Sequence, residues 1–209
     1  MSAAILAGGR ARRFGGTDKA SLLVGGTRVI ERQLGALASV ADDVRIVTNE
    51  PDRYAALGVR IIADRIADAG PLGGLHAALV DAGQDRVVVL ACDLPFVTPA
   101  LLQTLLAAFE TGGEIDAVVP RSARGVEPLC AVYAARCAAA AERRIRAGDL
   151  SMRGLLKDVR VREVGPDVLA AFDEETTFLN INTPHDYERA RAKLNAMRNR
   201  TKIVSRNNL

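Results

Sequence analysis

Ile5-Leu6-Ala7-Gly8-Gly9-Arg10-Ala11-Arg12-Arg13-Phe14-Gly15-Gly16-Thr17-Asp18-Lys19 is the stretch around which the chain is organised. The apolar run from Ala3 to Ala7 reads as a buried strand. Gly8 and Gly9 then remove two Cβ atoms where the chain must turn, so bare backbone can approach a ligand and aim its N–H groups at it. Arg10, Arg12, Arg13 and Lys19 add four cations to the same loop. Exposed amides and cations together suit anionic oxygens, above all phosphates. Spacing excludes two common phosphate loops. Gly16 is followed by Thr17 and Asp18, not by the Lys-Ser/Thr of a P-loop. The glycine pairs also do not fit Gly-x-Gly-x-x-Gly.

Beyond the loop, strand and helix patterns alternate. Val44 to Thr48, Val59 to Ala63 and Arg86 to Ala91 read as strands, the last the most apolar of them. Helices are expected from Val29, over Leu75 to Ala82 after a Gly70–Gly74 loop, from Thr98-Pro99, over Ala134 to Ala147, and from Thr183-Pro184. Thr177 to Ile181 reads as extended. The fold class is α/β: one Rossmann-like, three-layer domain on a mostly parallel, partly mixed sheet, with an antiparallel strand or hairpin near residues 120 to 133. The domain is expected over residues 1–196, with a basic, disordered tail over 197–209.

In open parallel sheets ligands collect beyond the carboxyl ends of the strands. The glycine loop, Asn49, Asp64 and Asp93 each follow a predicted strand, so all four belong on one edge. Asp93 is lifted just clear of a buried strand. A hard cation such as Mg²⁺ takes one or two protein carboxylates and completes its shell with water and phosphate oxygens, so Asp93 is the candidate metal ligand. Asn180 and Asn182, next to a helix start, would share a face in an extended segment and could hold a polar second substrate.

The chain has 209 residues, 49% hydrophobic, 25% charged and 4% aromatic, which is ordinary for a soluble domain with an aliphatic core. No apolar run approaches a membrane span, and no leader is evident at the N-terminus. Net charge is +3, concentrated in Lys193, Arg198, Arg200, Lys202 and Arg206 of the last helix and tail. This makes nucleic-acid binding a poor fit for the body of the chain. Cys92, Cys130 and Cys137 lack metal spacing and suit a reducing, cytoplasmic setting.

Leu6-Ala7-Gly8-Gly9, Arg12-Arg13-Phe14-Gly15-Gly16 and Asp18-Lys19 resemble the signature of the MobA-like nucleotidyltransferases, which usually carry Met where Phe14 stands. Cys92-Asp93-Leu94-Pro95-Phe96, Gly70-Pro71-Leu72-Gly73-Gly74-Leu75 and Asn180-Ile181-Asn182-Thr183-Pro184 resemble further family segments, from Ile5 to about Leu194. The closest branch guanylylates the molybdenum cofactor. The resemblance implies GTP and molybdenum-bound molybdopterin as substrates, Mg²⁺ as cofactor, and molybdenum-insertion proteins and apo-molybdoenzymes as partners. It places Leu6, Ala7, Gly8, Gly9, Lys19, Asn49, Asp64 and Asp93 around the nucleotide, with Arg13, Lys19 and Asp93 catalytic. The family's nucleotide-contacting asparagine falls on Asn49 or two residues earlier on Val47. Asn180 and Asn182 would face the pterin. The residues alone leave open CTP, a sugar- or polyol-phosphate acceptor, or a non-catalytic nucleotide or pterin carrier.

Overall fold

The computed structural model describes residues 1–8, 19–111 and 113–207, with side chains described through residue 198. In chain order the strands are β1 (Ser2–Leu6), β2 (Leu23–Val24), β3 (Thr27–Arg28), β4 (Asp43–Val47), β5 (Arg60–Ile62), β6 (Arg86–Ala91), β7 (Ala117–Ser122), β8 (Gly125–Val126), β9 (Cys130–Ala134) and β10 (Val161–Val164). The helices are α1 (Val29–Ala38), α2 (Gly70–Asp81), α3 (Pro99–Glu110), α4 (Cys137–Arg146), α5 (Met152–Asp158), α6 (Pro166–Leu169), α7 (Glu174–Thr177) and α8 (Pro184–Asn207).

The main sheet runs β10-β7-β9-β6-β1-β4-β5, with β8 paired to β7. β1 pairs in parallel with β4 and β6, β4 with β5, and β7 with β10. β9 runs antiparallel between β6 and β7, and the β7–β8 hairpin leads into it. This is the mixed α/β sheet expected, with its antiparallel insertion in the expected region. Because β1, β4, β5 and β6 are parallel, their carboxyl ends share one edge.

Alternation in the central strands divides the core. Ala3, Ile5, Val88, Leu90 and Val118 pack with Ile30, Leu37, Leu101 and Leu105 on one face. Ala4, Leu6, Val87, Val89 and Val119 pack with Leu72, Leu75, Ala78 and Ala141 on the other. Helices therefore cover both faces of an aliphatic core, as the near-continuous apolar strands require.

A third cluster joins the β2–β3 hairpin to the C-terminal helix: Val24, Val29, Phe96, Leu179, Ile181, Ala190 and Leu194. Tyr187 donates its hydroxyl to the Leu23 carbonyl at 2.7 Å, and Arg198 Nη2 donates to the Gly25 carbonyl at 2.8 Å. Thr183 starts α8 as expected: its Oγ1 accepts from Asp186 N at 3.2 Å, while Asp186 Oδ2 accepts from Thr183 N at 2.9 Å. Met197, farther along the same helix, is exposed.

Several element boundaries differ from the sequence expectation. Helix α2 starts at Gly70, not Leu75, because Pro71 in its first turn needs no N–H partner and so favours helix initiation. The 177–181 segment is not a strand: α7 ends at Thr177, and Ile181 instead donates its N–H to the Asp93 carbonyl at 2.9 Å. Ala134 closes β9, so α4 begins only at Cys137. Helix α8 runs through residues 197–207, the stretch whose composition suggested a tail. Among the described residues no helix is long and apolar enough to cross a membrane.

Candidate active site

A cleft of about 560 Å³ opens at the carboxyl edge of the parallel strands. Its wall includes Leu6, Ala7 and Gly8 after β1, Lys19 from the far end of the glycine loop, Asn49 after β4, Asp64 after β5, and Cys92 and Asp93 after β6. Those seven candidates other than Cys92, drawn from sequence positions 6 to 93, thus meet in one place. Gly9 and Arg13, with Arg10 and Arg12, lie outside the described residues.

The strand ends set the backbone frame. Ala7 donates its N–H to the Val47 carbonyl at 2.9 Å, and Cys92 donates to the Leu6 carbonyl at 3.2 Å, so the end of β1 at Leu6 and Ala7 is fixed between its two neighbours. A Cβ built at Gly8 would meet none of the described atoms within 4 Å. Among the described residues, Gly8 therefore leaves open space in the cleft wall. The N-terminal turn of α2 faces the same space through Gly70, Pro71 and Gly74. Its N-cap, Ala69, offers no side-chain acceptor, so the positive end of a twelve-residue helix is left for an anion.

Lys19 and Asp93 form the electrostatic centre. Burial pushes the Asp93 carboxyl above the usual carboxylate range, while the Lys19 ammonium pulls it back down. Lys19 Nζ also donates to Asn182 Oδ1 at 2.6 Å, which draws the 180–182 segment to the cleft. Asn180 sits on that segment with its Oδ1 buried and without a hydrogen-bond partner among the described residues. The two asparagines therefore play different parts, because the segment does not have the period-two geometry of a strand. Asn182 holds the cation, while Asn180 keeps an unused acceptor.

Asn49 and Asp64 form a reciprocal pair. Asn49 Nδ2 donates to Asp64 Oδ2 at 3.0 Å, and the Asp64 N–H donates to Asn49 Oδ1 at 3.0 Å. Both polar ends of Asn49 are thus used to orient Asp64. Val47, the other register for a nucleotide-contacting residue, also lines the cleft, although it is buried. Burial raises the Asp64 carboxyl and the Asn49 hydrogen bond opposes it. Gly74 brings the α2 backbone against this carboxylate: a Cβ there would stand 3.7 Å from Asp64 Oδ1 and 3.5 Å from a Leu6 methyl.

Sequence reasoning missed Thr48, Glu50, Arg53, Tyr54 and Asp68, which also line the cleft, and a buried polar side chain behind it. Gln33 on α1 is 1% exposed and lies among Val29, Ile30 and Leu37. Its Nε2 donates to the carbonyls of Ala91 at 2.6 Å and Leu94 at 3.0 Å, on either side of Cys92-Asp93. The signal was present: position 33 falls three residues after Ile30 and four before Leu37, so a glutamine interrupts the inward stripe.

Among the described residues no group of three or more His, Cys, Asp or Glu side chains could cage a metal ion. A single desolvated carboxylate beside phosphate-binding groups does suit a cation that keeps most of its shell as water and substrate oxygens. The donor set therefore fits Mg²⁺ at Asp93 and does not fit a structural zinc site.

Comparison with known proteins agrees with this geometry. The family described as the MobA-like NTP transferase domain matches residues 3–164. A molybdenum cofactor guanylyltransferase of Desulfosudis oleivorans is 38% identical over 195 residues, covering 93% of this chain and 96% of the relative. A probable molybdenum cofactor guanylyltransferase of Pelotomaculum thermopropionicum is 40% identical and covers 90% of each chain. The crystal structure of molybdopterin-guanine dinucleotide biosynthesis protein A from Archaeoglobus fulgidus superposes with a TM-score of 0.80 at 32% identity, covering 94% of this chain and all of the other. With a glycine-ended first strand, a cation and a desolvated aspartate gathered on one sheet edge, the chain belongs to the MobA-like NTP transferases.

Proposed function

We propose that this protein transfers the GMP unit of GTP to the terminal phosphate of molybdenum-bound molybdopterin, forming the guanine dinucleotide cofactor and pyrophosphate. The observation that carries this reading is the meeting of Lys19 and Asp93 in one cleft with the open backbone of Gly8 and the N-terminal turn of α2. The choice of guanine and of the pterin acceptor rests on the names of the relatives.

In the proposed reaction an acceptor phosphate oxygen attacks the α-phosphorus. The bond to the bridging oxygen breaks, and pyrophosphate leaves with the electron pair. The nucleophile is already anionic, so no side chain need remove a proton, and catalysis is positioning plus charge compensation. Lys19 neutralises phosphate oxygens, and its bond to Asn182 fixes where that charge sits. Amides at Gly8 and at the start of α2 orient the triphosphate. Asp64, held by Asn49, accepts from a nucleotide hydroxyl or base N–H. Asn180 and Asn182, on the segment that Lys19 joins, are the residues proposed for the acceptor side. Asp93 would hold Mg²⁺, which when bound supplies charge neutralisation to the triphosphate and leaving group. Gly9 and Arg13 complete this set as nucleotide and catalytic residues. The buried thiols of Cys130 and Cys137 suit a cytoplasmic setting, with molybdenum-insertion proteins and apo-molybdoenzymes as partners.

The test is pyrophosphate release from GTP or CTP in the presence of Mg²⁺ and loaded molybdopterin. Release with GTP, matched by dinucleotide formed and lost in Asp93→Asn, is expected. Preference for CTP, or undiminished release by Asp93→Asn, would refute the reading.

A further inference from the structure

The short segment bearing Asp93 is fixed from three directions. The Cys92 N–H reaches the Leu6 carbonyl, and the Ile181 N–H reaches the Asp93 carbonyl at 2.9 Å. Both are backbone bonds, open to almost any residue type. The third fixture depends on a side chain. Gln33 spends both amide hydrogens on the carbonyls of Ala91 and Leu94, bracketing Cys92-Asp93 at 2.6 and 3.0 Å. Its own Oε1 is buried with no hydrogen-bond partner among the described residues.

A helix face that otherwise buries Val29, Ile30, Ala36 and Leu37 would be served for packing by a leucine or methionine. Keeping an amide there leaves an acceptor unsatisfied, which opposes stability. The two donated bonds tie down the carbonyls on either side of Cys92-Asp93 as the chain leaves β6. We propose that Gln33 is a positioning residue: it acts through the backbone of Ala91 and Leu94 to hold Asp93 in the orientation that engages the nucleotide-bound divalent cation. This deepens the guanylyltransferase reading and rests on it for the identity of the nucleotide.

The experiment compares wild type, Gln33→Met, which fills the space but donates nothing, and Gln33→Asn, whose amide falls one methylene short. Mn²⁺ serves as the probe ion, titrated against each protein with GTP present and followed by its paramagnetic resonance signal. Pyrophosphate release is measured in parallel. Gln33→Met is expected to weaken Mn²⁺ binding about ten-fold and to lower kcat about ten-fold or more, with KM for GTP within about three-fold of wild type. Such losses are the size that misplacing a reacting group produces. Gln33→Asn should share the defect at smaller amplitude. A purely packing role would lower the Tm and leave the Mn²⁺ titration unchanged. Unchanged Mn²⁺ affinity in whichever variant folds would overturn the proposal. If wild type releases no pyrophosphate, the guanylyltransferase reading fails on its own, and the Mn²⁺ titration still decides the role of Gln33.

Discussion

Gly73 and Gly74 stand side by side in α2, yet alanine should act on them with opposite sign. At Gly74 an added methyl would lie 3.5 and 3.6 Å from the two Leu6 methyl carbons and 3.7 Å from Asp64 Oδ1, ordinary contact distances with no clash. Replacing a helix-interior glycine by alanine then contributes about 0.5–1 kcal/mol through reduced unfolded-state freedom. In a chain of this size that raises the Tm by roughly 1–4 °C. At Gly73 the methyl would lie 2.7 Å from the Ala69 Cβ, which is anchored to the backbone at the helix start. Overpacking of that kind costs about 1–3 kcal/mol, so after the helix gain Gly73→Ala should lose about 1–2 kcal/mol. Function should follow the opposite order at Gly74. Its methyl would occupy the cleft between Leu6 and Asp64 and disturb a charge-assisted contact of about 1.5–3 kcal/mol, so GTP binding should weaken at least ten-fold. Thermal unfolding of the nucleotide-free proteins and calorimetric titration with GTP measure both quantities. A Tm change of the same sign in both variants, or wild-type GTP affinity in Gly74→Ala, would refute the reasoning.

Three further outcomes are expected. Asp93→Asn should reduce turnover by about 10³-fold, the scale of removing a central electrostatic group. It should also raise the Tm at neutral pH, because burial lifts the Asp93 pKa and the ionised carboxylate therefore opposes folding above the unfolded pKa; that gain should shrink as pH falls toward 4. Asp116 is the opposite case. Arg160 and Arg136 outweigh desolvation and hold its carboxyl down at about 2, so its stabilisation is present above the unfolded pKa and is lost as pH falls through about 2. Asp116→Asn should cost about 1–2 kcal/mol in urea unfolding at pH 7, with little difference from wild type near pH 2. Asn49→Ala should leave the Tm nearly unchanged, since the residue is exposed, while raising the KM for GTP several-fold as Asp64 loses its orientation.

Most of the architecture could be read from short-range signals. Apolar runs at Ala3–Ala7 and Arg86–Ala91 mark the central strands, and the polar residue after each strand marks the ligand edge. Asp64 and Asp93 stood out because each follows a predicted strand of a parallel sheet, and both do line the cleft. What stayed hidden depends on which distant segments meet. Nothing local to Lys19 or Asn182 announces their 2.6 Å bond, because the topology alone brings the C-terminal segment beside the glycine loop. Nothing local to Asn49 reveals that it pairs reciprocally with Asp64 at the cleft wall. Arg45 looks in sequence like an ordinary charge in a strand. It is fully buried, pairing with Asp43 and with Asp81 at 2.8 Å and donating to Ser2 Oγ at 3.1 Å. It thereby ties the far end of α2 to β1 and β4. The 177–181 segment has β-forming residues yet makes no strand, because its N–H groups are taken by α7 and by the Asp93 carbonyl.

The central claim is that Lys19 and Asp93 act on one triphosphate across one cleft, and a double-mutant cycle on equilibrium GTP binding tests it most directly. Wild type, Lys19→Met, Asp93→Asn and the double variant are titrated with GTP in the presence of Mg²⁺. Groups that share a ligand should couple by roughly 0.5–3 kcal/mol, so the double variant should differ from the sum of the single losses by that much. Losses that add to within about 0.3 kcal/mol would mean the two residues do not share a ligand, and would contradict the claim.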